Sequence, residues 1–460
     1  MLPPSLSYMA EKLGQYETNT VKVFPQGDIQ EYVEGQIMEF VLPSNCLVDL
    51  DSLFVSFAAG IDQASSNVGR LPADIHSLID RITIKMGSLV IDDGAHGWSV
   101  FKRKYDKLTG KTVGALSHPE IVRAALTNTV ASISAAPPGL NQQETIIISG
   151  TDYVWDSFDK TFLGTCEPRI LDTSILPEIN IQFHLKRNVC PSGKVVSTVS
   201  GFAPNPSAQI STRPTYVIED PSLKINCISF ADSVYDDALS VQMRSGPIVM
   251  PFKKLYSYSD MAFSNMIDFN VATNSLDKIH FQPSDQKYKS GHWSVVREST
   301  NNCEVNASTR VLSVGSGSGL LELSEKYVDP SYASSYVGKR DASSTYNVTY
   351  QTSINNTLNP QFKAGVTETY EITRSAVSED MVPGHMQLFA EWFNDHCHGV
   401  VRFNRPGSTV RTPSGLNTQN SSAHMTLIAD NIPQECQMDV FVETTAMLYA
   451  FAGQAVSLQN

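Results

Sequence analysis

The sequence has little positive charge and few charged residues of either sign. Lysine and arginine number 34 against 47 aspartates and glutamates, which gives a net charge of −13. Charged residues make up 18% of the chain, below the ~25% of an average soluble domain. Binding along a nucleic-acid backbone needs a basic face or arm, yet Lys12 and Lys22 are the only cations in the first thirty residues. We therefore expect no direct sequence-specific nucleic-acid binding.

Cysteine is sparse and shows no pairing pattern. The seven cysteines are scattered along the chain and include no C-x-x-C pair. An even set of cysteines indicates a disulfide framework, and closely spaced pairs indicate a zinc knuckle. We expect neither, and a reducing host compartment, the cytoplasm or the nucleus, is the simpler setting for this protein.

Long apolar segments are missing as well. The N-terminus, Met-Leu-Pro-Pro-Ser, lacks the basic region and apolar core of a signal peptide. Residues 124–143 are uncharged but rich in Thr, Ser, Asn and Pro, and the segment after Glu443 contains Gln and Gly before it ends at Asn460. A membrane-spanning helix needs about 20 mostly apolar residues. We therefore expect neither a secretory signal nor a transmembrane segment.

The motifs of common enzyme classes are absent from the sequence. There is no P-loop, no G-x-S-x-G elbow and no H-E-x-x-H, and glycines 315–319 lack the spacing of a dinucleotide-binding loop. We expect no catalytic residue and no cofactor. The one cluster of soft metal ligands is His396-Cys397-His398, which could hold zinc if a third ligand came from elsewhere. Two ordinary polar side chains around a buried thiol are the favoured interpretation.

The length indicates two large units. At 460 residues the chain exceeds one ordinary core, whereas two all-β units of roughly 230 residues fit the size range of such domains. Apolar residues make up 41% of the chain, which is enough to fill two cores. Residues 179–185 show the clearest strand pattern, with an apolar side chain at every second position.

Short strands, long connections and few helices complete the pattern. Strands are predicted on both sides of a loose segment that runs from Cys190 through Gly201 to Pro206, and we place the joint between two halves there. Residues 109–143 and 282–344 are expected to be long surface excursions. This organisation is typical of jelly-roll or sandwich domains. The predicted division is an N-terminal arm, a first jelly roll and a second jelly roll: residues 1–30, 31–215 and 216–460.

A short motif occurs in both halves. Residues 77–86 begin Ser-Leu-Ile-Asp-Arg-Ile, and residues 275–281 begin Ser-Leu-Asp-Lys-Ile. In the first copy, apolar residues fall at helical spacing and then alternate, which predicts a helical turn followed directly by a strand. We interpret the two copies as the same turn and strand start in equivalent places of two duplicated units.

Further short segments in both halves add a family resemblance. In chain order they are Leu71-Pro72 with residues 77–82 and the Gly87 turn, Phe162-Leu163-Gly164 with residues 169–177, residues 275–279, Asn359-Pro360-Gln361-Phe362 followed by Glu368 and Tyr370, and residues 414–418 followed by 442–448. In order and spacing they resemble the double jelly-roll major capsid proteins of virophages and polinton-like viruses, which are relatives of the tectivirus and adenovirus hexon type.

The resemblance implies a fold and a function. The fold is all-β, with two consecutive jelly-roll β-sandwich domains (a double jelly roll), a few short helices and long loops. The function is that of a non-enzymatic major capsid protein in the virion capsid of an icosahedral double-stranded DNA virus. Three copies would form a homotrimer whose six jelly rolls make a pseudo-hexagonal capsomer. The implied partners are the chain itself, neighbouring capsomers, and penton and minor capsid proteins.

A different class of function stays open from the residues themselves. A carbohydrate-binding or carbohydrate-active β-sandwich would need an aromatic platform with carboxylates beside it, and paired catalytic carboxylates can come from separate strands. The four tryptophans, Trp98, Trp155, Trp293 and Trp392, lie in dissimilar sequence contexts. This class is the alternative to the capsid interpretation.

Overall fold

A computed structural model describes large parts of both halves of the chain. The expected excursions 109–143 and 282–344 lie almost entirely outside the described residues, as do residues 1–15, so the expectations for them stay predictions. The described residues are 16–27, 29, 31–62, 68–69, 75–111, 152–156, 158–187, 192–193, 195–198, 201–204, 215–230, 234–261, 266–285, 349–385, 389, 392, 398–419, 424–430 and 436–460.

Strands make up most of the regular structure. In the first half they are β1 (Tyr16–Val23), β2 (Glu31–Val33), β3 (Ile37–Val41), β4 (Leu47–Asp62), β5 (Val68–Gly69), β6 (Ile79–Met86), β7 (Leu89–Asp92), β8 (Asp152–Trp155), β9 (Ile170–Asp172), β10 (Ile179–Leu185), β11 (Ser192–Gly193), β12 (Val195–Thr198), β13 (Gly201–Pro204) and β14 (Thr215–Phe230). In the second half they are β15 (Ile248–Met261), β16 (Met266–Asn270), β17 (Leu276–Asp285), β18 (Thr349–Ile354), β19 (Thr357–Ala364), β20 (Gly399–Arg402), β21 (His424–Asp430), β22 (Cys436–Phe451) and β23 (Ala455–Gln459).

The principal helices are short. They are α1 (Trp98–Thr109), α2 (Phe162–Thr165), α3 (Val234–Ser245) and α4 (Val366–Val377), with a 3-10 turn at Ile75–Leu78. Helix α1 begins and ends at glycines with positive φ, Gly97 and Gly110, a conformation that glycine adopts at little cost. Helix α3 connects the two halves.

Both halves have the strand order of a jelly roll. In the first half the eight principal strands are β1, β3, β4, β6, β7, β8, β10 and β14. They form the sheets β1-β14-β4-β8 and β3-β10-β6-β7. When the eight principal strands are numbered 1 to 8 in chain order, their order within the two sheets is 1-8-3-6 and 2-7-4-5. The second half repeats this order, because β15 to β22 form the sheets β15-β22-β17-β20 and β16-β21-β18-β19. The predicted all-β fold of two consecutive jelly rolls is therefore confirmed.

Strand pairing places the limits of the first roll differently from the sequence prediction. β1 lies in the expected arm 1–30, yet it pairs with β14 along its whole length. β14 also pairs with β4, although residues 216–460 were expected to form the second roll. The expected limits do not hold for these two strands, which are the first and last principal strands of the first roll. β1 is a largely exposed edge strand, so it carries no apolar alternation that would reveal it.

The two copies of the short motif do not occupy equivalent places. The first copy forms the turn Ile75–Leu78 and the start of β6, which confirms the predicted handover from turn to strand. The second copy leads into β17. β6 is the fourth principal strand of its roll, whereas β17 is the third of its roll. Equivalence of the two motifs is therefore wrong, while the repeated strand order shows the duplicated architecture independently.

The core of the first roll contains a cluster of aromatic side chains. β10 alternates buried and half-buried residues along its length, which confirms the pattern predicted for residues 179–185. The Phe183 ring is fully buried, with its centroid 5.7 Å from that of Phe40 and 4.8 Å from that of Trp155. Edge-on ring pairs of this kind stabilise a core beyond their buried area.

The sheet β15-β22-β17-β20 is covered on both faces. Val440 and Val442 of β22 belong to the core of the second roll. The residue between them, Phe441, packs instead in the cluster that includes the first-roll core, with its ring centroid 5.1 Å from that of Phe101 on α1. The two rolls therefore share one continuous apolar contact, and neither face of β22 is left to water.

We predict that Phe183→Ala destabilises the first roll by about 3–5 kcal/mol, because it removes a buried ring and leaves a cavity. Phe362→Ala is the matched control, since that ring is 52% exposed and its loss should change stability by no more than about 0.5 kcal/mol. Urea unfolding followed by intrinsic fluorescence measures both variants. Equal stability of the two variants would contradict this description of the core.

Candidate functional site

The metal site considered from sequence is not assembled by the described residues. His396 and Cys397 lie outside them, and among the residues that are described, no group of three or more His, Cys, Asp or Glu side chains could hold a metal ion. His398 is fully buried. Its ring nitrogens lie 3.2 Å from Nδ1 of His280 and 3.3 Å from Oε1 of Gln282. In the described structure His398 is thus a hydrogen-bonded core residue.

A group of charged side chains lies between the two rolls. Six buried or half-buried charged side chains meet there, three lysines and three carboxylates, so their formal charges balance. We call them the junction cluster: Lys160, Lys253, Asp277, Lys278, Asp380 and Glu443.

Glu443 occupies the centre of the junction cluster. It lies on β22 next to Val442, and because neighbouring strand residues face opposite sides, its carboxylate points toward the first roll. The side chain is 2% exposed. Oε1 lies 3.1 Å from Nζ of Lys160 and 3.9 Å from Nζ of Lys253, while Oε2 lies 3.4 Å from Nε2 of His280. Lys160 belongs to the first roll, so this contact joins the two rolls directly.

Asp380 forms a second connection between the rolls. Its Oδ2 accepts a hydrogen bond from the hydroxyl of Tyr105 on α1 and lies 2.6 Å from Nζ of Lys278 on β17. Lys160 is 4.0 Å from the same oxygen, and its ammonium also lies 5.2 Å from the centroid of the Tyr105 ring. Lys160 thus lies between Glu443 and Asp380.

Asp277 completes the junction cluster from within the second motif copy. Its Oδ2 accepts hydrogen bonds from Nζ of Lys253 at 2.8 Å and from Oγ1 of Thr445 at 2.6 Å. Its Oδ1 accepts from Oγ of Ser275 at 2.8 Å. The register of β17 against β22 shifts between Leu276 and Lys278, so Asp277 sits at a local irregularity where its side chain can turn toward Lys253.

A separate ion pair ties α1 to the segment before α2. Lys102 is 4% exposed and contacts Asp106 one turn further along the helix as well as Oδ2 of Asp159 at 3.0 Å. Burial lowers the pKa of Lys102, but the two carboxylates outweigh it and raise that pKa overall. Helix α1, which carries Phe101 and Tyr105, is therefore fixed by charge as well as by packing.

The electrostatics favour ionised carboxylates at Glu443 and Asp380 beside a neutral His280. Burial alone would raise the pKa of Glu443, but Lys160, the His280 hydrogen bond and Lys278 lower it well below its usual value. Burial likewise opposes ionisation of Asp380, and Lys160 and Lys278 lower the pKa of this carboxyl to about 2. For His280, burial lowers the pKa and the contact with Glu443 raises it; the effect of burial is larger, so the pKa is lowered overall.

This arrangement orients the two rolls. Each buried charge has partners within the protein, and desolvation offsets much of the attraction of such pairs, so their net contribution to stability is small. Their directional requirement is strong, because shifting one roll would leave buried charges unpaired. No such site was predicted from the sequence. The junction cluster does leave a pattern in the sequence, namely charged residues within otherwise apolar strands. Examples are Val442-Glu443-Thr444 and Leu276-Asp277-Lys278-Ile279.

We predict that Glu443→Gln destabilises the protein by about 3–5 kcal/mol, because it removes the nearest buried counter-charge of Lys160, 3.1 Å away. Glu371→Gln is the control, since Glu371 is exposed and pairs with Arg374 on the surface of α4; its cost should be at most about 0.5 kcal/mol. Chemical unfolding of both variants at pH 7 tests this. A Glu443→Gln variant as stable as the control would refute the central role of the carboxylate.

We also predict loss of stability as the pH falls below about 6.5. Below that pH the unfolded chain binds more protons at His280 than the folded chain does, because burial lowers the folded-state pKa of His280. The lowered pKa values of Glu443 and Asp380 add stability above about pH 4, which disappears as the pH falls through their folded-state values. Asp92 has the opposite effect on stability. Burial raises its pKa to about 6, so the folded state is stabilised as the pH falls and this carboxyl is protonated.

The histidine contribution can be isolated with His280→Gln. Between pH 7.5 and 5.5 the wild-type protein should lose more stability than this variant, by up to about 1 kcal/mol, because the histidine binds more protons in the unfolded chain than in the folded chain. Unfolding midpoints measured at both pH values give the difference. An identical pH dependence in the two proteins would show that His280 is not held neutral by the fold.

Comparison with known proteins identifies the fold. No protein-family model and no curated protein matches the chain. PBCV-1 VP54, fitted into a cryo-EM reconstruction of the virophage Sputnik, superposes with a TM-score of 0.52 at 11% identity, with 97% of each chain covered. The quasi-atomic model of the PBCV-1 virus capsid gives a TM-score of 0.50 at 12% identity, again with 97% of each chain covered. At such identities the likeness establishes the fold alone, and the chain has the double jelly-roll fold of these viral capsid proteins.

Proposed function

We propose that this chain is a major capsid protein of an icosahedral double-stranded DNA virus and that it self-assembles as trimers that tile the shell. The observation that carries the proposal is the repeated 1-8-3-6 and 2-7-4-5 strand order, in a chain that superposes over 97% of its length on the solved PBCV-1 structures. Two rolls in each chain give six rolls in a trimer, and six similar rolls are what a pseudo-hexagonal capsomer requires.

The junction cluster supports this role mechanically. A capsomer tile needs its two rolls held at a fixed angle, and Lys160, Glu443 and Asp380 provide directional contacts across the junction. The proposed unit has a first roll over residues 16–230 and a second roll over residues 248–460, joined by α3. Its function is structural, with no catalytic step and no cofactor.

Exposed apolar residues at sheet edges support self-association. β3 and β16 are the second principal strands of their rolls, and each is an edge strand. Each begins with an apolar residue that is 47% exposed, Ile37 in β3 and Met266 in β16. Exposed apolar side chains at corresponding positions of both rolls suit repeated contacts between copies. The low charge content reduces repulsion between closely packed subunits.

The carbohydrate alternative finds no support among the described tryptophans. Trp98, Trp155 and Trp392 are each no more than 1% exposed, so they cannot serve as a surface platform for a sugar ring. Trp293 lies outside the described residues. The observations on these tryptophans therefore favour the capsid proposal.

The proposal extends to partners and location. Neighbouring capsomers, penton proteins and minor capsid proteins would contact the trimer, and assembly would take place in a reducing host compartment before the protein resides in the virion capsid. No direct sequence-specific contact with nucleic acid is included. Among the described residues, no helix is long and apolar enough to span a bilayer.

We predict that the purified protein sediments as a stable species of about three times 50.5 kDa. Analytical ultracentrifugation over a concentration series provides the measurement, and electron micrographs of the same sample should show pseudo-hexagonal particles. A strict monomer that binds immobilised glycans would instead favour the carbohydrate alternative.

Variants at the edge strands test the contact surfaces. Ile37→Asp and Met266→Asp together should weaken the trimer by at least about tenfold, because a carboxylate at an apolar contact must be desolvated. Val241→Asp is the matched control, since Val241 is 64% exposed on α3, a helix and not one of the two edge strands. Equal trimer stability in both proteins would exclude these edge residues as contacts.

A further inference from the structure

Two thiols meet at the rim of the first roll. Cys46 lies directly before β4, and Cys227 lies in β14, yet their Sγ atoms are 3.5 Å apart. The register of β14 against β4 pairs Cys227 with Val48, so Cys46 is its diagonal neighbour on the same face of the sheet. Both side chains are half-buried against the core of the first roll.

The backbone holds both cysteines in place. The amide of Cys46 donates to Oγ1 of Thr173 at 3.1 Å, and the carbonyl of Cys46 accepts from the amide of Thr173 at 3.0 Å. Cys227 lies within β14, which is flanked by β1 and β4. The short distance between the sulfurs is therefore set by two anchored segments.

The geometry is close to that of a disulfide. A disulfide needs an S–S distance of ~2.05 Å, so the sulfurs must approach by roughly 1.5 Å, which small rotations of two side chains can supply. The two residues are 181 positions apart in sequence. A bond between them would close most of the first roll into one covalent loop.

We propose that Cys46 and Cys227 form an intramolecular disulfide when the protein meets a disulfide oxidant such as oxidised glutathione. One cysteine thiolate attacks the glutathione disulfide, forms a mixed disulfide and releases one glutathione thiolate. The second cysteine sulfur then attacks the mixed disulfide and releases the second glutathione. The two cysteines lose two protons and two electrons, and the electrons reduce the glutathione disulfide to two thiols.

The surroundings make the reaction selective and slow. Burial and the hydrogen bond with Cys46 raise the pKa of the Cys227 thiol to about 12, so little Cys227 thiolate exists at neutral pH and its reaction with a disulfide oxidant is slow. Cys166 is fully buried, and burial raises the pKa of its thiol to about 12 as well. Unlike Cys227, Cys166 has no thiol beside it among the described residues.

The disulfide would stabilise the first roll by restricting the unfolded chain. A cross-link that closes a loop of this length removes much of the conformational freedom of the unfolded state. The cross-link joins β14 to the residue directly before β4. β14 and β4 are neighbouring strands of the first sheet. A shell built from such oxidised subunits would resist unfolding better after it leaves a reducing environment.

The direct test is peptide mapping after oxidation. The full-length protein is incubated with oxidised glutathione at pH 8, alkylated without reduction and digested with trypsin. Cys46 and Cys227 fall in different tryptic peptides, residues 23–70 and 225–244, each with one cysteine. We expect these two peptides as one linked species that is lighter than their sum by two hydrogens and disappears on reduction.

Variants and a stability measurement complete the test. Cys46→Ser and Cys227→Ser should each abolish the linked species, whereas Cys166→Ala should retain it. The oxidised wild-type protein should unfold at least about 5 °C higher than the reduced protein, and neither serine variant should show this shift. Folded protein that yields only separate glutathione adducts, or an oxidised form that unfolds at a lower temperature than the reduced form, would overturn the proposal.

Discussion

The structure depends on one buried carboxylate whose counter-charge comes from the other half of the chain. Glu443 projects from the last principal strand of the second roll and meets Lys160 of the first roll at 3.1 Å, where both side chains are largely shielded from water. A charge in such surroundings is tolerated only with its partners in place. The two rolls must therefore dock in one relative position before Lys160 meets its buried counter-charge, and Asp380 adds a second contact with the same requirement.

The apolar packing follows from the same junction. β22 presents Val440 and Val442 to the second roll and Phe441 and Glu443 to the first, so a single strand contributes to both apolar clusters. Helix α1 supplies Phe101 and Tyr105 on the opposite side. A chain built in this way behaves as one two-roll block, which is the kind of rigid subunit that a shell of repeated contacts needs. The fold and the proposed capsid function therefore rest on the same set of residues.

The sequence predicted the architecture better than its details. Apolar alternation identified β10, and short segments distributed over both halves indicated two jelly rolls. It could not identify β1, because an exposed edge strand carries no apolar pattern, nor assign β14 to the first roll, because alternation does not tell which sheet a strand joins. The repeated Ser-Leu motif was misleading, since a turn before a strand can occur at different points of a roll. The junction cluster was missed because its members are far apart in sequence.

The most direct test of the coupling between the rolls is a double-mutant cycle on Lys160 and Glu443. Lys160→Met, Glu443→Gln and the combined variant are unfolded in urea at pH 7 beside the wild-type protein. If the two rolls are held together by this contact, the double variant should be more stable than the sum of the single effects predicts, by about 1–3 kcal/mol. Effects that add to within about 0.5 kcal/mol would show that the two side chains do not interact, and would contradict the view that charge pairing fixes the two rolls as one unit.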